Sequence, residues 1–80
     1  MSARVDDLVA KLRAKVLPPP DVCRSIRIAS GATQDEVAEA IGVDRATVSR
    51  WESGSRSPRG DIRRRYAEVV DVLSIYWEAP

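Results

Sequence analysis

Between Thr33 and Gly54 the chain reads TQDEVAEAIGVDRATVSRWESG. Two start signals and two stop signals within so short a stretch leave room for two short helices joined by a tight turn. Thr33 with Glu36 three residues on has the spacing of a capping box. Val37, Ala38 and Ile41 then recur at helical intervals. Gly42 stands where the first helix has to stop and the backbone has to turn left-handed, which glycine does without a Cβ clash. Asp44 is placed to cap the second helix. That helix, from Asp44 to Ser53, turns Val48 and Trp51 inward and leaves Arg45, Ala46, Ser49 and Arg50 outward. Ala38 falls where the helices cross, a place that a larger side chain would force open.

Eighty residues make one small domain around one core, of a size at which a partner subunit helps stability. The single cysteine, Cys23, excludes an internal disulfide, and the absence of histidine excludes the usual zinc sets and most acid–base constellations. Cys23 is expected to be a buried thiol. No cofactor or metal is expected, and the chain is not read as an enzyme. No run is long and apolar enough to span a membrane, and the N-terminus lacks an apolar signal core, so a cytoplasmic location is expected.

The net charge of +1 hides an uneven distribution. Up to Val43, basic and acidic residues balance. From Asp44 to Arg65, seven arginines face only Asp44, Glu52 and Asp61. From Tyr66 onward the charges are Glu68, Asp71 and Glu78. Positive charge is therefore concentrated on the second helix of the pair and the segment after it, a distribution suited to a polyanion. No aromatic platform is interleaved with those arginines, which argues against single-stranded RNA.

Taken in order, residues 3–16 form an amphipathic helix whose stripe is Val5, Leu8, Val9, Leu12 and Val16. Ser2 can cap it, Asp6 and Asp7 suit its first turn, and Lys11, Arg13 and Lys15 suit its later turns. Pro18, Pro19 and Pro20 end it. A second helix spans Pro20 to Ser30, with Cys23, Ile26 and Ala29 or Ser30 inward and Gly31 closing it. After the helix pair, Ser53 to Gly60 is a polar, basic loop. A last helix spans Asp61 to Ile75, with Ile62, Tyr66, Val69, Val70 and Leu73 inward, and consecutive Arg63, Arg64 and Arg65 fan around it. The tail ends in Ile75, Tyr76, Trp77 and Pro80, aromatic surface that has to fold back or meet a second subunit.

A helix whose outer face is basic and short-chained fits the major groove of DNA, where arginine binds guanine in bidentate fashion. The segment resembles the helix-turn-helix of the Cro/C1-type (XRE-like) phage repressor family. Gln34, Ala38, Gly42, Val48, Trp51 and the Glu52-x-Gly54 ending carry the likeness, which covers roughly residues 22–73. It implies an all-α fold: a compact bundle of about five helices, a lambda-repressor-like domain over 18–80 preceded by an additional helix over 1–17. It also implies a salt bridge between Arg27 and Glu52, a backbone-clamping Gln34, phosphate contacts from the loop, and a homodimer with contacts near the C-terminal end.

On this reading Arg45, Ala46, Ser49 and Arg50 contact bases, with Arg45 reading a guanine and Ala46 a thymine methyl. Asp44 caps its helix. Gln34, Thr47, Ser53, Ser55, Arg56 and Arg59 contact phosphate. Leu8, Leu12, Tyr76 and Trp77 are candidate dimer contacts. The best-known members use glutamines in the second helix. Arg45, Ala46 and Arg50 here imply a different operator with more G·C. The expected function is a Cro-like transcriptional regulator binding a palindromic operator in double-stranded DNA, with no small-molecule ligand. An antitoxin or protein-interaction adaptor built on the same fold is the alternative.

Overall fold

A computed structural model describes residues 3–77, leaving out the side chains of residues 3, 10 and 13–15. The cap assigned to Ser2 and the tail end at Pro80 lie outside the described residues. Among the described residues five α-helices follow one another: α1 (Ala3–Lys15), α2 (Pro20–Ser30), α3 (Gln34–Ile41), α4 (Arg45–Ser53) and α5 (Gly60–Leu73), and a 3-10 turn, Ser74–Tyr76, comes after α5. No strand occurs among the described residues, and the fold is all-α.

The local signals explain the helix ends. Thr33 accepts the Glu36 amide while the Glu36 carboxylate accepts the Thr33 amide, a complete capping box. Asp44 accepts the Thr47 amide at 2.8 Å. Gly42, at φ +91°, makes the left-handed turn between α3 and α4 and donates its amide to the Ala38 carbonyl. Pro20 opens α2 in the first turn, where a missing amide costs nothing. Three helix ends differ from expectation. Helix α1 stops at Lys15, ahead of the prolines, and α5 starts at Gly60 and ends at Leu73. Beyond it the Ser74 hydroxyl donates to the Asp71 carbonyl, and the backbone tightens into the 3-10 turn.

The core is built by α2 to α5. It holds Cys23 and Ile26, Val37, Ala38 and Ile41, Val48 and Trp51, and Tyr66, Ala67 and Val70. Burying each of the larger aliphatic side chains contributes about 1.5–3 kcal/mol. Ala38 lets α4 lie close on α3, and the Trp51 and Tyr66 rings meet at 4.7 Å between centroids, tilted by 36°. In α2 it is Ser30, not Ala29, that turns inward. Its hydroxyl donates to the Arg27 carbonyl and accepts the Ala32 amide. Cys23 is a buried free thiol that donates to the Pro18 carbonyl. Burial pushes its pKa up, so it stays protonated at neutral pH. The Tyr66 hydroxyl has no nitrogen or oxygen partner among the described residues, and it sits beside that thiol.

Helix α1 lies along α5, yet its stripe is not in the core. Leu8 keeps 56% of its surface and Leu12 52%, and Val5, Val9 and Val16 are exposed too. Four helices already close the core, so α1 finds only the outer flank of α5. The C-terminal aromatics divide. Trp77 is half-buried against its own core, while Ile75 and Tyr76 are exposed.

Candidate nucleic-acid interface

Helix α4 owes its orientation to a buried ion pair. The Arg27 guanidinium donates through Nε to Glu52 Oε2 at 2.6 Å and through Nη2 to Oε1 at 3.0 Å, and through Nη1 to the Ala32 carbonyl. The Glu52 side chain is 3% exposed and that of Arg27 14%. The pairing with Glu52 raises the Arg27 pKa further above its ordinary range. Such a pair adds little net stability, but removing one partner strands a charge in the interior. It joins α2 to the last turn of α4.

The same carboxylate organises the helix start opposite. Gln34 donates its amide to Glu52 Oε1 at 3.0 Å, and its carbonyl accepts Arg45 Nε at 3.4 Å. A relay therefore runs from Arg27 through Glu52 and Gln34 to Arg45. Gln34 is half-buried and serves as a spacer.

On the outer face of α4, Arg45, Ala46, Ser49 and Arg50 are all exposed, while Val48 behind them is fully buried. Five of the phosphate candidates sit in two kinds of surroundings. Thr47 donates its hydroxyl to Asp44 Oδ1 at 2.6 Å, so its proton is committed to the cap. Ser53 and Ser55 donate toward the Arg50 carbonyl and lie 3.0 Å from each other, closing the end of α4. A phosphate oxygen only accepts, so these hydroxyls would have to give up an existing acceptor to bind it. Arg56 and Arg59 are exposed, and no hydrogen bond or ion pair engages their side chains among the described residues.

Sequence reasoning missed Arg24. It is exposed on α2 and lines two open concavities beside α4, one with Gln34 and Arg45 and one with Gln34, Ser49 and Ser53. Its place three residues before Arg27, one turn along the same helix face, is the signal that could have found it. Arg64 and Arg65, by contrast, are held by Asp61, and Arg64 also faces Glu68 at 3.8 Å.

Two carboxylates that cap helices, Glu36 and Asp44, have pKa values below their ordinary range. Glu36 is lowered first by the Thr33 amide and Asp44 first by the Thr47 hydroxyl. Asp61 is lowered by its hydrogen bond from Arg64.

The helix-turn-helix family model matches residues 24–77, from the middle of α2 to the residue after the 3-10 turn. This chain belongs to the Cro/C1-type helix-turn-helix family. No curated protein and no solved structure matches it. The Cro/C1-type match covers the Arg27–Glu52 pair, the Gln34 spacer and α4, and it begins after α1. Membership makes the chain a DNA-binding regulator of the Cro/XRE type, and within the matched segment α4 leaves Arg45 and Arg50 exposed. Among the described residues no helix is long and apolar enough to cross a membrane.

Proposed function

We propose that this regulator binds a palindromic operator in double-stranded DNA as a homodimer, inserting α4 into the major groove. The observation that carries the reading is the exposed arginine face of α4, set on a buried ion pair at its last turn that reaches Arg45 at its start through Gln34. Arg45 reads a guanine through O6 and N7, Ala46 contacts a thymine methyl, and Ser49 and Arg50 reach neighbouring base edges or phosphate. Arg24, Arg56 and Arg59 flank the groove and hold the phosphate backbone. Gln34 orients Arg45. Residues 18–80 are the DNA-binding unit and residues 1–17 an added helix. The protein works in the cytoplasm as a short, phage-type Cro-like repressor without cofactor or small-molecule ligand.

A second reading, an adaptor or antitoxin that uses the fold to hold another protein, draws on the exposed stripe of α1. Selection from a random duplex pool separates the two. The regulator enriches a two-fold symmetric sequence with half-sites about one helical turn apart, roughly 34–36 Å. The variant Arg45→Ala loses one base preference in each half-site. A pool that stays random after several rounds defeats the operator reading and leaves the adaptor.

A further inference from the structure

The surface that pairs two copies of this chain follows from the two halves of one exposed apolar strip. Of the large apolar side chains left in water, Val5, Leu8, Val9, Leu12 and Val16 belong to α1 or the residue after it, and Val72 and Ile75 to the end of α5 and the turn beyond. Val9, Leu12 and Val16 share a shallow concavity with Asp71, so the halves adjoin. Glu68, Val72 and Ile75 are spaced four and three residues apart, on one exposed face. A strip of this extent on so small a monomer is the signature of an interface.

The halves differ in charge. Helix α1 carries Arg4, Lys11, Arg13 and Lys15 against Asp6 and Asp7, whereas α5 beyond Arg65 carries only Glu68 and Asp71. Arg4, Lys11 and Asp71 have no side-chain partner among the described residues, and Glu68 has only Arg64, at 3.8 Å. A two-fold axis between the halves lays the basic, apolar α1 of each protomer on the acidic, apolar end of α5 in the other. Stacking α5 on α5 would instead bring Glu68 and Asp71 of the two copies together, and the charge variants below distinguish α1 on α5 from α1 on α1. A two-fold contact is self-complementary by construction, and this strip meets that condition.

We infer that α1 packs on the end of α5 of a second copy of this chain, so that the helix lying outside the family match is the dimerisation element. The inference supplies the surface for the homodimer proposed above and stands or falls without DNA.

Sedimentation equilibrium on the full chain tests it. The wild type is expected to be a dimer. Leu8→Glu with Leu12→Glu should raise the dissociation constant about tenfold or more, equivalent to roughly 1.4 kcal/mol or more. Circular dichroism should stay unchanged, since neither side chain is in the core. Two charge variants separate the arrangements. Arg4→Glu/Lys11→Glu and Glu68→Lys/Asp71→Lys should each be monomeric alone and form a heterodimer when mixed, because both contacts then join opposite charges. A monomeric wild type, a dimer indifferent to the Leu8/Leu12 change, or no heterodimer on mixing overturns the inference. Anisotropy of the Leu8→Glu/Leu12→Glu variant on a single half-site duplex reads DNA contact separately. Binding retained there leaves the DNA reading standing while the interface fails, and binding absent in wild type and variant alike counts against the DNA reading alone.

Discussion

Helices α1 and α4 are both short and amphipathic, and they met opposite fates. In α4, Val48 and Trp51 are buried and the last-turn Glu52 is buried with them. In α1 a longer apolar stripe stays in contact with water. The difference lies in what surrounds each helix. Helix α4 drops into a slot made by α2 and α3, which Ala38, Gly42 and the Arg27–Glu52 pair border. Helix α1 reaches only the outer side of α5 after the core is closed. Apolar periodicity therefore says which face needs cover and leaves open what supplies it.

The largest effect expected from breaking the contrast is at the ion pair. Glu52→Ala strands Arg27 and releases Gln34, and should destabilise the fold by about 3–5 kcal/mol in urea unfolding. A loss comparable to that of a surface change would mean that the pair does not hold α4. Next comes Ile41→Ala in the core beneath α4. It should cost about 2–5 kcal/mol, through lost burial and the cavity left behind.

Changes on the outer face of α4 should act on binding. Arg45→Ala should cost about 1–3 kcal/mol of affinity and relax the preference at one base pair. Arg56→Ala should weaken all duplexes alike and lower the slope of log affinity against log salt by about one. Uniform weakening by Arg45→Ala would reassign that residue to the backbone.

Acid should loosen the helix starts before the core. Asp44, Glu36 and Asp61 have folded pKa values below their ordinary ones. Their contribution is complete above the unfolded range of about 3.9–4.3 and is lost as pH falls through the lower folded values. The melting temperature should hold on going from neutral to pH 5 and fall below about pH 4. Asp44→Asn, which keeps a cap oxygen without the charge, should flatten that fall. The smallest effect belongs to α1. Leu12→Ala, measured at high dilution, should change stability by no more than about 0.5 kcal/mol. A loss of core size there would place the stripe inside the fold.

Helix positions were legible because their signals are local. Thr33 with Glu36, Asp44, Gly42 and the three prolines act on neighbouring backbone, and the structure has its helix ends at or beside them. The Arg27–Glu52 contact joins residues far apart in sequence, and only the family resemblance connected them. The fate of Thr47, Ser53 and Ser55 could not be read from the sequence, since whether a hydroxyl proton is free depends on the acceptor the fold brings to it. Arg24 was hidden for a related reason. It belongs to a different helix from the one that faces outward, and only packing brings it beside Gln34 and Ser49. Trp77 looked like interface because aromatic surface near a chain end needs cover, and the fold supplied part of that cover from its own core.

The most direct test of the central claim is fluorescence anisotropy at near-physiological salt. It would compare the duplex flanking the protein's own gene with a scrambled duplex of equal length. Specific binding predicts a preference of about a thousandfold or more for the native sequence, reduced by Arg45→Ala. Equal, weak and steeply salt-dependent binding to both duplexes, or binding to neither, would contradict it.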